Sequence, residues 1–491
     1  MDTPDSLGSV ASVARSRDRD IDGLITELKW SAADDGTTRV SYSFPVDGSV
    51  WSRDPVTGYD VPSSGYEPWD PSYRPLDAAQ QEAARLALQS WGAPARLSLV
   101  EVADDAASAG VVRVALTDTP GAYAWAYLPE ATAYAGDIWL GANEPTHDAL
   151  DAGSFGFSTL IHEIGHALGL KHPHERGYTG VRLPAADDWL GMTQMSYKTY
   201  PGLDDAEASI YPTTPMMLDI KAIQYLYGVP QPDDADSLYR FRQGNDYYQT
   251  IWDGGGRDTL VWDASAQGAL IDLRPGHWSQ LGDPIRYSYD GFETIEYARP
   301  ETVAIYRTVI IEDAVGGRGA DTIIGNDARN LLWGRAGKDF LDGGALGDTL
   351  RGGVGDDSLQ GGAGGDLLNG GPGRDTLGGG GGRDRFAFRH PLEPESGIDT
   401  ILDFAPGADR IRLDNDIFTA LGTQTATTSL RARNFSSDGT PGPTSYIVYA
   451  PSSGLLYYDA DGSGPGTAIA FAVLGTTTHP TLTAADLQVL A

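Results

Sequence analysis

Three histidines and one glutamate stand close together in the first half of this 491-residue chain. They follow the pattern H-E-x-x-H-x-x-G-x-x-H, whose fixed positions are His162, Glu163, His166, Gly169 and His172. Residues four apart on a helix project from one face, so the first two histidines can bind one ion at roughly 2.0 to 2.1 Å. The glycine lets the chain leave the helix in a left-handed conformation, and the third histidine can then return as a ligand. The pattern predicts one zinc ion with a coordination position open for water.

The glutamate gives this predicted site a hydrolytic chemistry. Zinc lowers the pKa of a bound water to about 7, which makes water a nucleophile at neutral pH. Glu163 follows the first ligand directly, so it can take the proton of the water and pass it to a leaving amine. We therefore expect a hydrolase in which Glu163 is the general base.

A helix must present these side chains, and the surrounding residues favour one. Ser158 is a candidate N-cap, and Gly169 is a candidate C-terminal stop. The apolar residues recur at helical spacing, namely Leu160, Ile161, Ile164 and Leu168. We expect this apolar stripe to face the core and the histidines to face a cleft.

The extended motif resembles that of the metzincin metallopeptidases, whose second mark is a methionine turn beneath the metal. Met195, within Thr-Gln-Met-Ser-Tyr, matches this turn. The M-S-Y sequence is similar to the serralysin family, peptidase M10B. The resemblance implies that Tyr197 is a switchable zinc ligand that also stabilises the oxyanion during turnover. Lys198 departs from the family, which more often has an aromatic residue there.

A second signature is a nine-residue repeat that runs eight times without a gap over residues 316–387. Each repeat opens with glycine and approaches G-G-x-G-x-D-x-U-x, where U is apolar. The eighth positions are Ile323, Leu332, Leu341, Leu350, Leu359, Leu368, Leu377 and Phe386. The sixth positions are Asp321, Asn330, Asp339, Asp348, Asp357, Asp366, Asp375 and Asp384.

These repeats offer hard oxygen ligands but only a thin apolar core. Glycines permit tight turns, and the carboxylates and turn carbonyls suit calcium. We expect several structural Ca²⁺ ions to supply much of the folding free energy. The pattern resembles the RTX repeat of parallel β-rolls. Departures at Asn326, Ala328, Asn330, Arg335 and Leu346 make the calcium sites near those turns the least regular.

Three further aspartates are candidate calcium ligands outside the repeats. Asp253 and Asp258, in Trp-Asp-Gly-Gly-Gly-Arg-Asp-Thr, match a calcium-binding segment of serralysins, with a glycine-rich turn as the alternative. Asp399 lies in a segment, 398–404, that resembles the β-sandwich strands that follow RTX coils, as does segment 456–462.

The resemblance implies an α+β metzincin-like zinc protease domain followed by an all-β parallel β-roll (RTX) and β-sandwich domain. We place the protease domain at 21–245 and the calcium-binding domain at 246–491. Residues 1–20 are interpreted as a short propeptide or a disordered N-terminus. The last ten residues, 482–491, are similar to the C-terminal signal for type I secretion.

The first half reads as mixed α and β structure. Asp77 and Gln80 form a predicted capping box for a helix through Trp91, and a second helix is predicted over 215–227, ended by Gly228. Strands are predicted at 40–44, 111–116 and 136–140. Residues 122–127 resemble the edge strand of a metzincin cleft, where a peptide substrate can add as a further strand.

The composition limits the kinds of partner that the sequence predicts. The formal net charge is -33, so no basic patch favours nucleic acid. The chain has no cysteine, which excludes disulfides and a thiol nucleophile. No apolar stretch is long enough for stable membrane insertion, and the N-terminus lacks the apolar core of a signal peptide. The resemblance implies a monomer, secreted from Gram-negative cells through the type I apparatus.

The sequence thus predicts a secreted, calcium-stabilised zinc endopeptidase that acts on protein and peptide substrates, with a proteinaceous inhibitor as a further expected partner. Two alternatives stay open. One is a calcium-dependent RTX surface or matrix protein with a vestigial protease domain. The other is a zinc hydrolase of a different bond, because only the family resemblance specifies peptides.

Overall fold

In the computed structural model of the chain, the described residues are 4, 6–60, 67–118, 123–203, 205–263, 266–392, 397–424 and 426–491. Within them, strands predominate and helices are few. The chain divides into two compact units that alternate along the sequence. The first comprises Met1–Asp233, Asp246–Gly254 and Asp283–Arg307, and the second comprises Asp234–Asn245, Gly255–Gly282 and Thr308–Ala491. The predicted boundary at residue 245 stays a prediction.

The first unit contains the helices and the N-terminal strands. Its helices are α1 (Arg19–Asp22), α2 (Ala78–Gly92), α3 (Phe155–Ala167) and α4 (Met217–Tyr227), with short 3-10 turns at Glu67–Trp69 and Pro145–His147. Its first strands are β1 (Val10–Ser12), β2 (Leu28–Trp30), β3 (Thr38–Ser43), β4 (Leu97–Glu101), β5 (Val112–Thr117), β6 (Ala124–Ala126), β7 (Ile138–Gly141) and β8 (Glu207–Ala208).

The middle strands belong to the two units by turns. They are β9 (Leu238–Arg242), β10 (Gln249–Ile251), β11 (Thr259–Asp263), β12 (Leu270–Asp272), β13 (Trp278–Ser279), β14 (Ile285–Ser288), β15 (Tyr297–Arg299) and β16 (Val303–Ile305). The first unit holds β10, β14, β15 and β16, and the second holds the other four.

The remaining strands all lie in the second unit. The repeat region and its surroundings form β17 (Asp313–Val315), β18 (Thr322–Ile324), β19 (Leu331–Ala336), β20 (Phe340–Asp342), β21 (Thr349–Val354), β22 (Ser358–Gln360), β23 (Ala363–Gly364), β24 (Leu367–Asn369), β25 (Thr376–Gly378), β26 (Gly381–Gly382) and β27 (Arg385–Phe388). The C-terminal part forms β28 (Asp399–Ile401), β29 (Arg410–Asp414), β30 (Thr428–Ser429), β31 (Phe435–Ser436), β32 (Ile447–Ala450), β33 (Leu455–Tyr458), β34 (Ile469–Leu474) and β35 (Leu487–Leu490), with 3-10 turns at Thr419–Leu421, Ala432–Asn434 and Ala484–Asp486.

A five-stranded sheet organises the first unit in the order β4-β3-β5-β7-β6. The pairs β3–β4, β3–β5 and β5–β7 are parallel, whereas β6 runs antiparallel to β7 at one edge. Helix α3 packs against α2, β6 and β7. The buried side chains of these elements form one apolar core that includes Trp91, Leu116, Ile161 and Ile164.

Apart from the start of the histidine helix, the predicted elements of the first unit are confirmed, with bounds that shift by at most two residues. The capping box of Asp77 and Gln80 is present at the start of α2. Gly228 follows α4 with a φ of 88°. Ala122 of the predicted edge strand lies outside the described residues, and the strand itself spans Ala124–Ala126. Within the predicted N-terminal segment, β1 pairs with β2, while residues 1–3 and 5 lie outside the described part.

The N-cap prediction for the histidine helix was wrong. Helix α3 begins at Phe155, and the hydroxyl of Ser154 accepts a hydrogen bond from the backbone of Phe157. Ser158 therefore lies inside the first turns, where its hydroxyl donates to Oε1 of Gln194 at 2.9 Å. The helix starts four residues early because Phe157 adds a buried apolar contact ahead of the predicted stripe.

Two ten-stranded sheets form the second unit, and the repeats alternate between them. One sheet contains the succession β17-β19-β21-β24-β27, and the other contains β18-β20-β22-β25-β28. From β17 to β27 and from β18 to β25, neighbouring strands are parallel and one coil of eighteen residues apart, as in the pairing of Leu341 with Leu359. All eight predicted apolar positions, from Ile323 to Phe386, are at most 1 % exposed. Segments 398–404 and 456–462 contribute β28 and β33, which extend the second of these sheets.

Among the described residues, none of the helices has the length and apolarity that crossing a bilayer requires.

Candidate metal centre and calcium-binding coil

Helix α3 carries the first two histidines, and glycines fix how it packs and ends. A Cβ on Gly165 would lie 2.5 Å from Sδ of Met195, so only glycine allows the methionine turn to approach the helix. Gly169 has a φ of +99°, and a Cβ there would lie 2.4 Å from the carbonyl of Leu28. The chain therefore reverses at Gly169 and brings His172 back to the helix.

The three histidines converge as the sequence predicts. Nε2 of His172 lies 3.2 Å from Nε2 of His162 and 3.0 Å from Nε2 of His166. Ligands of a tetrahedral zinc ion at its usual bond lengths are about 3.4 Å apart, so the cluster has nearly the spacing that one ion requires.

The opposite ring nitrogens fix the tautomers. Nδ1 of His162 lies 2.7 Å from the carbonyl of Gln194, and Nδ1 of His166 lies 2.9 Å from that of Leu170. A carbonyl oxygen only accepts, so these nitrogens carry the hydrogen and Nε2 keeps its lone pair. Nδ1 of His172 makes the equivalent bond to Oε1 of Glu175 at 2.9 Å.

Burial keeps these imidazoles neutral. It lowers the pKa of His162 well below the ordinary value, also lowers that of His166, and brings that of His172 to about 3. Three lone pairs then face one another without a proton between them, which is unfavourable unless a cation joins them. The donor set therefore fits a zinc ion held by three imidazoles.

Glu163 lies beside this cluster as a buried carboxyl group. Its Oε2 has no hydrogen-bond partner among the described residues, and burial raises its pKa to about 8. A cation at the histidines would favour its ionised form. The same cleft is lined by His166, His172 and Tyr197, so the carboxyl group borders the space where a substrate would lie.

Tyr197 lines the same cleft next to the third histidine. Its hydroxyl oxygen is 2.6 Å from Nε2 of His172, while 63 % of the residue is exposed. A hydroxyl so placed can reach both the metal position and a bound substrate. Lys198, the departure from the family pattern, pairs with Asp188 at 3.4 Å.

Asp219 on α4 supports the turn below the cluster, and the sequence analysis missed it. Its buried carboxylate accepts hydrogen bonds from the hydroxyl of Thr193 at 2.5 Å and the backbone N–H of Gln194 at 2.6 Å. Burial raises its pKa to about 7. The carbonyl of the same Gln194 orients His162. The available signal was an acidic residue in the first turn of the predicted helix 215–227.

Glu175 is the second missed residue. It belongs to a group with His172 and His174 whose ligand atoms lie within 4.8 Å of one another. Because its carboxylate already accepts from Nδ1 of His172, its evident effect is to orient the third histidine. The spacing H-x-H-E placed it next to the motif, but sequence could not show which way it points.

The edge strand β6 forms one wall of the cleft. Trp125, Ala126 and Leu128 line it, and Tyr178 lines it from the loop after the third histidine. Because β6 is the last strand in the sheet order, its outer backbone edge is available for a further strand.

The repeat aspartates form a buried ladder in the second unit. From Asp339 to Asp384, one oxygen of each accepts the backbone N–H of the residue one coil earlier; for example, Oδ1 of Asp357 accepts from Asp339 at 2.8 Å. In Asp339, Asp348, Asp357, Asp366 and Asp375, the second oxygen is buried and has no hydrogen-bond partner within the described ranges. Buried, unpaired carboxylate oxygens beside turn carbonyls fit calcium, which prefers such ligands.

The first glycine of each repeat leaves room for this carboxylate. A Cβ on Gly352 would lie 2.3 Å from Oδ2 of Asp357, and one on Gly334 would lie 2.3 Å from Oδ2 of Asp339. The glycine and the aspartate of one repeat therefore act as a pair.

The other candidate calcium residues differ in their surroundings. Asn330 uses its amide for hydrogen bonds to Glu312 and Asn326, and Asp321 accepts from two backbone N–H groups. Asp384 and Asp399 accept from the backbone at 3.0 Å, as the regular positions do. Asp258 is buried and accepts from Ser237, whereas Asp253 is partly exposed. The calcium roles of all these residues stay predictions.

The first unit thus presents a three-histidine cluster beside a buried carboxyl group, and the second presents a coil lined by buried aspartates. Comparison with known proteins finds similarity over part of the chain. A family profile described as Peptidase M10 serralysin C terminal matches residues 218–429. In this region the chain is similar to the serralysin-type M10 metalloproteases.

Curated relatives show the same likeness. Serralysin of Photorhabdus laumondii is 32% identical over 291 residues, 54% of this chain and 57% of that protein. Serralysin of Proteus mirabilis is 34% identical over 286 residues, 52% of this chain and 55% of that protein. Metalloprotease AprA of Pseudomonas entomophila is 30% identical over 328 residues, 61% of each. The chain spans little more than half the length of the relatives it matches.

Proposed function

We propose that this protein is a zinc-dependent endopeptidase of the serralysin type. The observation that carries the proposal is the convergence of three Nε2 atoms at 3.0 to 3.2 Å while each Nδ1 is held by an oxygen acceptor. Such a cluster is arranged for a divalent cation. Glu163 at its side supplies the base that hydrolysis needs.

The residues of the chain divide the work of peptide hydrolysis. A zinc ion, when bound, supplies Lewis-acid activation of water at neutral pH. Glu163 accepts the proton of the attacking water and donates it to the leaving amine. The hydroxyl of Tyr197 faces the same space and donates a hydrogen bond to the oxyanion that develops on the substrate carbonyl.

Peptide substrates fit the cleft because β6 offers an unpaired strand edge beside the metal site. Main-chain hydrogen bonds to this edge would bind an extended peptide with little dependence on its side chains. The relatives named serralysin and metalloprotease support peptide bonds over other bonds. We take extracellular proteins as the substrate class.

Calcium and export belong to the same proposal. The coil would be a parallel β-roll that folds when Ca²⁺ binds its buried carboxylates. Because the unfolded chain has no preformed metal site, the free energy of Ca²⁺ binding contributes to the free energy of folding. An unfolded, acidic chain would leave the cell by type I secretion and fold outside. A monomeric enzyme and a proteinaceous inhibitor complete the proposal.

Glu163→Gln tests the enzyme activity. In excess calcium, the wild-type protein should cut casein at internal bonds, lose this activity to a zinc-selective chelator and regain it with zinc. The variant should keep zinc and the fold but lose activity roughly 10²- to 10⁴-fold, since the base is gone. Fragment ends are read by mass spectrometry.

Glu82→Gln is a matched control, because Glu82 is an exposed glutamate on α2 of the same unit. It should cleave at the wild-type rate. A folded, zinc-loaded wild-type protein that cuts no peptide bond would contradict the proposal and favour the calcium-dependent surface or matrix protein.

A further inference from the structure

Lys171 is a buried lysine next to the third histidine, and the hydrolytic chemistry does not use it. Only 2 % of the residue is exposed. Its Nζ donates to the carbonyls of Gly23 at 2.7 Å, Glu175 at 2.9 Å and Val181 at 3.1 Å. An ammonium group has three hydrogens, so these carbonyls satisfy it completely. Burying a charge is costly without such partners, which indicates a specific role for this position.

The three carbonyls come from segments that border the metal site. Gly23 follows α1, while Glu175 and Val181 lie in the loop that leaves the third histidine. A backbone bond from Leu183 to the carbonyl of Pro173 closes this loop at 3.1 Å, and the hydroxyl of Thr179 donates to Asp22 at 2.6 Å. Lys171 thus connects the turn after α1, at Gly23, to both ends of this loop, at Glu175 and Val181.

The contact with Glu175 reaches the metal site in two steps. Lys171 holds the main-chain carbonyl of this residue, and the side chain of the same residue accepts from Nδ1 of His172 at 2.9 Å. The bond to Nδ1 sets the direction of Nε2, which faces the other two histidines. Loss of the lysine would free the backbone of Glu175 and, with it, the ring of His172.

We propose that Lys171 is a positioning residue for the third metal ligand, acting through Glu175 on the orientation of His172. The inference rests on the proposed function in one respect, that His172 binds zinc. It predicts that zinc retention depends on a lysine that is not itself a metal ligand.

Lys171→Met tests this role, because methionine fills similar space but donates no hydrogen bond. Zinc release from the full-length, calcium-loaded protein to a chromogenic chelator should be roughly 10- to 100-fold faster than in the wild type, the usual effect of losing an outer-sphere partner. Lys221→Met is the matched control, since Lys221 also lies in the first unit and pairs with Asp18 and Asp20. It should lower the melting temperature and leave the rate of zinc release unchanged.

A double-mutant cycle separates positioning from general destabilisation. If the lysine acts through Glu175, then Lys171→Met should change zinc release little in a Glu175→Ala background. Glu175→Gln keeps an acceptor oxygen and should restore most of the wild-type rate. Independent, multiplicative effects of the two substitutions, or a wild-type release rate in Lys171→Met, would overturn the proposal.

Hydrogen exchange of the wild-type protein supplies a measurement that needs no variant. Binding of zinc should slow amide exchange in residues 22–24 and 175–183 together, because linkage is reciprocal. Unchanged exchange in these segments would overturn the proposal. If zinc slows exchange in both segments but the protein cleaves no peptide, the proposed enzyme activity is contradicted. The proposed role of Lys171 is still supported in that case.

Discussion

Each histidine of the cluster uses one ring nitrogen to direct the other. The acceptors differ: two are main-chain carbonyls, of Gln194 and Leu170, and one is the carboxylate of Glu175. A carboxylate increases the basicity of its imidazole more than a neutral carbonyl does, because the hydrogen bond is charge-assisted. His172, the member of the cluster outside the helix, therefore has the strongest orienting partner.

Tyr197→Phe tests the hydroxyl that faces the cluster. If the hydroxyl stabilises the oxyanion, kcat should fall roughly 10²- to 10³-fold, as it does when one such donor is lost, while KM changes little. Steady-state kinetics on a quenched fluorescent peptide would measure both. Equal zinc content of variant and wild type is the control. An unchanged kcat would contradict a role of Tyr197 in turnover and leave only its role as a zinc ligand of the resting enzyme.

At the scale of elements, glycine decides where the coil can turn. Arg335 and Leu346 occupy positions at which other repeats have glycine, and they adopt φ values of 75° and 67°. The left-handed region costs a residue with a side chain roughly 1 to 2 kcal/mol. These two departures from the repeat therefore keep the coil geometry but store strain.

Leu346→Gly should relieve that strain. The gain is reduced by the greater flexibility of glycine in the unfolded chain, about 0.5 to 1 kcal/mol, so we expect a net stabilisation of up to about 1 kcal/mol. Gly355→Ala is the contrasting change at the equivalent position of the next repeat, where a Cβ would lie 1.6 Å from the carbonyl of Gly337. It should destabilise the coil strongly. Urea denaturation in saturating calcium measures both, and a destabilised Leu346→Gly would contradict the strain argument.

For the molecule as a whole, acidity and calcium are linked. The chain carries a net charge of -33, and five aspartates of the coil each bury a carboxylate oxygen that has no hydrogen-bond partner in the described part of the chain. Burial raises the pKa of Asp339, Asp348 and Asp375 to about 7 and that of Asp399 to about 8. Without a metal ion, these groups are more easily folded as neutral acids than as carboxylates.

The sign of the pH dependence should therefore reverse with calcium. In a chelator, the folded pKa of these groups exceeds the unfolded value of about 3.9, so their contribution to stability is complete below that pH and is lost as the pH rises through about 7 to 8. In calcium, deprotonation creates the ligands, and the coil should gain stability over the same range. Circular dichroism during urea denaturation at pH 5 and pH 8 measures this.

Asp357→Asn is the matched control for that experiment, because an amide resembles the protonated acid. At pH 8 it should stabilise the coil in a chelator and destabilise it in calcium. Stability that increases with pH in the chelator would contradict the assigned direction of these pKa shifts.

Local patterns were sufficient for much of this protein. The spacing of His162, His166 and His172 predicted their convergence because helix geometry and one left-handed glycine fix it over eleven residues. The nine-residue period predicted which residues of the coil are buried, since each repeat meets the same surroundings. Both predictions depend on contacts that are close in sequence or periodic.

The tertiary structure decided what depends on distant partners. Gln194 contacts His162 from a segment far along the chain, and Asp219 acts on it through Gln194. The three carbonyls around Lys171 come from two separate segments. The structure also decided which serine caps α3, since Ser154 rather than Ser158 accepts the hydrogen bond of the first turn. A hydrogen bond requires its two groups within a few tenths of an ångström, and sequence spacing fixes such positions only within one turn of a helix or one coil.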